Sequence, residues 1–144
     1  MSKKIAYPTY IKKVKGKGWG AFCSRRIPKG TVFNITTLLP LTVRESKLMS
    51  GSSLEPYWYE FGTKGRAIAL GLGSIMNHSE EPNCSYYFSR SRRTLSFYAL
   101  RDIPANEELT HDYGWTKSSY EAYGVIPEGG KNKKSAQRNK QKAC

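Results

Sequence analysis

Carboxylates are scarce in this sequence and absent from both ends. Residues 1–44 carry ten Lys and Arg and no acid; residues 131–144, KNKKSAQRNKQKAC, carry six more and no acid. The whole chain has 24 basic and 11 acidic side chains, a formal net charge of +13, and residues 1–130, with 18 of the basic ones, keep +7. Such a balance favours contact with nucleic acid, or with something bound to it. A solvated surface with a basic tail accounts for the charge equally well.

Cysteine is also sparse. Cys23, Cys84 and Cys144 form an odd, widely spaced set with no CxxC pair. That argues against a disulfide framework and a zinc site, and it suits a reducing compartment. No window approaches the roughly 18 to 20 apolar residues that a membrane span needs, so no membrane partner is expected. The opening MSKKIAYPTYIKK has no apolar core of a secretory signal. The expected location is therefore cytoplasmic, or inside a host cell if the protein is viral.

No repeat is visible, and 144 residues fit one domain with a modest core. Residues 131–144 lack aromatics and aliphatics beyond alanine, which predicts a basic disordered tail behind a domain of residues 1–130. Within that domain, short β-forming runs are cut by Gly and Pro: YIKKV, GAFCS, TVFNIT, PYWYEF, RAIAL, CSYYF and TLSFYA. SRSRR between the last two predicts an exposed hairpin loop. Helical pattern is limited to RESKLMS at 44–50 and KSSYEAYG near the C-terminus. The class is mostly β, with few short helices.

Three stretches ask for more than structure. KGKGWGAF, residues 15–22, alternates Gly16, Gly18 and Gly20 around Trp19, so its backbone can approach a ligand or simply form a bulged hairpin. GSIMNHSEEPNC, residues 73–84, sets Asn77 beside His78, one of only two histidines. Together they offer donors and acceptors to a purine edge, or cap a local turn. NEELTHDYGW, residues 106–115, gathers a carboxylate pair, His111, Asp112, Tyr113 and Trp115. A His–Asp neighbour pair fits acid–base work or a metal. Two histidines 33 residues apart, with no third ligand at helical spacing, argue against the metal. No serine stands in a nucleophile-elbow context.

Taken in order, the three motifs resemble those of the SET-domain protein lysine methyltransferases. KGWGAF resembles the family's glycine motif, NHSEEPNC its Asn-His-Ser motif, and EELTHDYGW its Glu-Leu-Thr…Asp-Tyr motif, with ALRDIPANEEL as lead-in. The likeness spans about residues 10 to 115, and YWYEFGTKGRAIALGLGSIMNHS looks most like small stand-alone bacterial or viral members. The resemblance implies a SET fold of several short curved sheets with a knot-like core. It implies S-adenosyl-L-methionine as cofactor, a protein substrate with a target lysine, and methyl transfer to that lysine.

The resemblance also implies roles. Asn77 and His78 would hold the adenine end of the cofactor, with Lys17, Gly18, Trp19 and Gly20 meeting it through the backbone. Tyr57 would border both cofactor and lysine channel, a channel also lined by Tyr98, His111 and Trp115. Tyr113 matches the catalytic tyrosine and a cofactor contact. Glu80 stands where members with a zinc-bearing segment carry a cysteine, so no metal is expected; Tyr120 and Tyr123 would close the channel instead. Asn106 replaces the family's usual glycine and tolerates the left-handed region. His111 stands where many members carry Phe or Tyr, and its smaller ring leads us to expect a di- or trimethylated product.

The substrate expected is a basic, nucleic-acid-associated protein, which so basic an enzyme would repel unless Glu55, Glu60, Glu80, Glu81 and Asp112 make a local acidic groove. Two other readings compete: a catalytically inactive SET-like module docking on nucleic-acid-associated partners, and a nucleic-acid-binding β-barrel. The barrel explains charge and aromatics but leaves the three motifs without a purpose.

Overall fold

Nine strands, one α-helix and two 3-10 turns are formed by residues 7–63 and 65–114, the residues that the computed structural model describes. KSSYEAYG, Trp115, Tyr120, Tyr123 and residues 131–144 lie outside that range, so the expectations placed on them stand apart from the structure.

β1 (Thr9–Val14) and β2 (Gly18–Cys23) pair antiparallel from Thr9↔Cys23 to Val14↔Gly18. The glycines begin as hairpin chemistry: Lys17 N–H donates to the Val14 carbonyl at 3.1 Å, and Gly16 and Gly18 hold φ of 79° and 85°, where a side chain is penalised. β2 then runs inward, burying Ala21, Phe22 and Cys23.

β3 (Val32–Leu41) is longer than TVFNIT predicts. It pairs with β5 (Gly65–Leu70) as far as Leu41↔Arg66, and with β8 (Thr94–Ala99) only as far as Thr37↔Thr94. Pro40 therefore sits in a strand at no cost to the ladder. Leu38 N–H donates toward the β8 side, to the Arg93 carbonyl. The next residue on that side is Pro40, beyond the last β8 pair, where no donor is needed.

PYWYEF divides. Glu55–Tyr57 forms a 3-10 turn with Pro56 in its first positions, and β4 starts at Trp58 and ends at Phe61. RESKLMS forms α1 (Val43–Met49), fastened by a capping box between Thr42 and Glu45. α1 buries none of its residues, so the cap rather than packing holds it. SRSRR is the tight turn between β7 (Cys84–Ser89) and β8.

Two strands escape the sequence pattern. β6 is only Asn77–His78 and β9 is Glu108–His111, and the two run parallel, Asn77 beside Thr110 and His78 beside His111. The sheets are ordered β1-β2-β9-β6 and β4-β5-β3-β8-β7. Their inner faces share one core of Phe33, Leu38, Met76, Leu95, Phe97 and Leu109. A mostly β architecture of short sheets, with segment 76–84 laid against β9, is thus what the chain forms.

Candidate active site

The parallel pairing of β6 with β9 brings the second and third motifs together. Asn83 locks them. Its side chain acts like a peptide group: Nδ2 donates to the Glu108 carbonyl at 2.7 Å, and Oδ1 accepts from Thr110 N–H at 2.9 Å. Nδ2 also donates to Glu107 Oε1 at 2.9 Å, and the Cys84 thiol donates to the Thr110 carbonyl at 2.9 Å. So the Pro-Asn-Cys of the motif supplies β9 with hydrogen bonds that a neighbouring strand would otherwise give.

The glycine hairpin joins them through Asn77. Asn77 Nδ2 donates to the Trp19 carbonyl at 3.0 Å and to Glu108 Oε1 at 2.7 Å. Lys17 Nζ lies 3.7 Å from Glu108 Oε2. With both amide hydrogens committed, Asn77 can offer a ligand only an acceptor oxygen. Gly20 is required for this packing, because a Cβ there would come within 2.8 Å of Glu108 Oε1 and 2.6 Å of Val14 Cγ2.

Tyr113 emerges one residue beyond the Asp112 that follows β9. Its hydroxyl donates to the Met76 carbonyl at 2.8 Å, and its N–H donates to His78 Nδ1 at 3.1 Å. His78 therefore positions the tyrosine backbone with a neutral, accepting nitrogen. Asp112 Oδ1 lies 3.6 Å from the same nitrogen and accepts from Gly114 N–H at 2.8 Å. The side chains of His111 and Asp112, neighbours in the sequence, take different partners. His111 Nδ1 meets the Asp112 main-chain oxygen at 3.1 Å, and Nε2 lies 3.4 Å from the Tyr59 hydroxyl.

His111 is the centre of a buried aromatic group. Its ring lies 4.9 Å from Tyr113, 5.5 Å from Tyr86, 5.6 Å from Phe97 and, stacked, 6.1 Å from Tyr59. The Tyr59 hydroxyl donates to the Gly73 carbonyl at 2.6 Å. Burial pushes the Tyr59 phenol well above its ordinary value, with Tyr86 adding to the effect. Burial raises Tyr86 too, helped by Asp112 and Glu60. Both rings stay neutral at physiological pH, so the wall beside Tyr113 is aromatic and uncharged.

Of the residues singled out in the sequence, Lys17, Trp19, Gly20, Asn77, His78, His111 and Tyr113 converge here. Gly18 starts β2 beside them. Tyr57 is half-buried at the end of the 3-10 turn leading into β4. Tyr98 must be corrected. Phe97 holds the inward position on β8, so the pleat turns Tyr98 to the opposite face, against Tyr87 at 6.1 Å. Tyr59 and Tyr86, rather than Tyr98, stand against His111. Glu108 and Asn83 were also missed as site residues. For Tyr59, its strand parity with Phe61 was the available signal.

The five carboxylates that could make an acidic groove are not used alike. Glu60 lies 3.6 Å from Arg66, and Glu55 accepts from Gly51 N–H at 2.6 Å. Asp112 reaches the site directly, 3.6 Å from His78 Nδ1, and Glu60 acts on it through Tyr86. Among the described residues, no group of three or more His, Cys, Asp and Glu could hold a metal ion. Among them, too, no helix is long and apolar enough to cross a membrane.

A fold of curled short sheets, with an Asn-His segment beside a Glu-Leu-Thr strand ending in a tyrosine, defines a class. Residues 18–114 match the SET domain family model, and the chain belongs to that family. It is similar to the histone-lysine N-methyltransferase, H3 lysine-37 specific, of Schizosaccharomyces pombe, at 33% identity over 76% of each chain. It is also 31% identical, over 78% of its length, to the N-lysine methyltransferase KMT5A-A of Danio rerio, of which the match covers 37%. A solved Plasmodium falciparum structure, described as a candidate histone methyltransferase, superposes with a TM-score of 0.65 at 25% identity. That match covers 79% of this chain and 99% of the other. The protein is a protein-lysine N-methyltransferase.

Proposed function

We propose that this enzyme moves a methyl group from S-adenosyl-L-methionine to the ε-amine of a lysine in a basic, nucleic-acid-associated protein. The observation that carries the reading is the Tyr113 hydroxyl. Its proton is engaged by the Met76 carbonyl, so its oxygen faces a reactant as an acceptor. An acceptor there can hold an amine hydrogen and orient the amine for in-line attack, a contribution mainly of positioning.

The cofactor would supply an electrophilic methyl on a sulfonium. The residues present fit its zwitterionic, amine-bearing framework. The Asn77 oxygen can accept from an amine, and Lys17 and Glu108 offer both charges at 3.7 Å from one another. The lysine must be neutral to attack, yet its ordinary pKa is about 10.4. The neutral walls of Tyr59 and Tyr86 disfavour the charged amine by desolvation and tolerate a methylated cation through ring faces.

Association of the substrate with nucleic acid rests on the chain's excess of positive charge, and its basic character on the relatives, which include a histone-lysine N-methyltransferase. Lysate proteins would be incubated with the enzyme and isotope-labelled cofactor, then mapped by mass spectrometry. Label should appear on lysine ε-amines. Tyr113→Phe should slow transfer at least about tenfold, the scale for a positioned catalytic group, with S-adenosylhomocysteine still bound. Binding without any transfer by the wild type would instead favour the inactive module.

A further inference from the structure

The β7–β8 hairpin has two unlike faces. Inward, Cys84↔Ala99, Tyr86↔Phe97 and Phe88↔Leu95 pair into the core. Outward, the pairs are Ser85↔Tyr98, Tyr87↔Ser96 and Ser89↔Thr94; Ser96 is buried, and the face open to solvent is Tyr87 with the partly exposed Ser85, Ser89, Thr94 and Tyr98. Tyr87 is half exposed and rests on Tyr98 at 6.1 Å. The hairpin tip adds Arg90, Ser91, Arg92 and Arg93, all exposed.

These arginines differ from others in the protein. Arg26, Arg66 and Arg101 are held by Asp102, Glu60 and Glu107, and Arg25 lies over Tyr7. No carboxylate of the described residues pairs with Arg90, Arg92 or Arg93. None could do so from nearby strands, because β3, β7, β8 and the turn contain no Asp or Glu at all. On the neighbouring strand β3, Ile35 is 55% exposed and faces outward beside Ser96.

We propose that this outer hairpin face binds single-stranded nucleic acid. Guanidinium and hydroxyl groups are the side chains that most often hold phosphate oxygens. An exposed tyrosine flanked by an aliphatic residue gives a base face something to stack on. An acidic protein segment would find the charges but little use for the exposed ring of Tyr87 beside Tyr98. The site lies on the opposite side of the sheet from Tyr86 and Phe97, so it is separate from the methyl-transfer site. It would bring the enzyme to substrates that travel with nucleic acid.

The test is fluorescence anisotropy of the full chain with a labelled mixed-sequence single strand, across a salt series. Three variants are compared with wild type: Arg90→Gln/Arg92→Gln, Tyr87→Ala, and the charge-matched control Lys12→Gln/Lys13→Gln on β1. The arginine pair should weaken binding about tenfold and lower the salt slope by about 1.4, two contacts at roughly 0.7 each. Tyr87→Ala should weaken it at least about fivefold, the lower end for one stacked base. The control should move binding much less, and peptide methylation should be unchanged in the hairpin variants. Equal losses in control and hairpin variants would overturn the proposal, since charge alone would then explain binding. So would tighter binding of a duplex of equal length, or full competition by polyglutamate with no effect of Tyr87→Ala.

Discussion

Tyr113 and Asn77 are each made one-sided by their partners. The tyrosine proton is held by Met76, and both amide hydrogens of Asn77 are held by Trp19 and Glu108. Each can therefore present only an acceptor to a ligand. Asn77→Ala should weaken S-adenosylhomocysteine binding by roughly 1 to 3 kcal/mol, measured by calorimetry, because the ligand amine loses its partner and Glu108 loses a donor. Unaltered affinity would make Asn77 a purely structural bridge. His111 bears on a different expectation, the number of methyl groups added. It is buried among Tyr59, Tyr86, Phe97 and Tyr113, and imidazole is smaller than the phenol or phenyl ring that many members of the family place there. A smaller ring leaves room for a bulkier amine, so the expected product carries two or three methyl groups. Time-resolved mass spectrometry on the substrate should show His111→Tyr shifting the product toward fewer methyls. A wild type that stops at one methyl with excess cofactor would refute the argument from size.

At the scale of elements, β9 depends on Asn83 as much as on a strand. Asn83→Ala removes hydrogen bonds to the Glu108 carbonyl, the Thr110 N–H and Glu107. It should lower stability by about 1 to 3 kcal/mol in a denaturant titration, the cost of leaving buried groups unpaired. Asn83→Asp should do no better at neutral pH, because it loses both donors and sets a carboxylate against Glu107. A melt unchanged by either substitution would show that β9 is held by its neighbours alone. This element also shows how far sequence reading reaches. β5, β7 and β8 were legible because hydrophobic alternation is local. Asn106 was legible as a left-handed residue, and holds φ of 65°. β6 and β9 were not legible, since they pair in parallel across more than thirty residues and neither alternates over enough length to register. Tyr98 was misplaced because aromatic identity was read without strand parity. Applying parity to Trp58–Phe61, where Trp58 and Glu60 pair with outward Ile68 and Arg66, places Tyr59 inward with Phe61. Tyr57 falls in the 3-10 turn, where that parity does not extend.

Over the whole molecule, stability should fall on the alkaline side, and Cys84 predicts where the fall begins. The thiol is buried between β7 and β9, and burial pushes it from 9.0 up to about 12, opposed in part by its hydrogen bond to Thr110. A raised value in the folded state means that the fold holds this proton more tightly than the unfolded chain does. The contribution is complete below pH 9 and is lost as pH rises toward 12, because the unfolded thiol ionises first and draws the equilibrium toward it. One unit above the ordinary value, near pH 10, the loss is on the order of 1 kcal/mol. Tyr59, also raised by burial from 10.0, acts in the same direction but only from higher pH. Denaturant melts from pH 7 to 10.5 should thus show stability declining above about pH 9 in the wild type. Cys84→Ala should be less stable at pH 7, from the lost packing, yet decline less steeply. Equal alkaline slopes in the two proteins would mean that Cys84 is accessible enough to ionise in place, and that the segment joining β6 to β7 opens without unfolding the core.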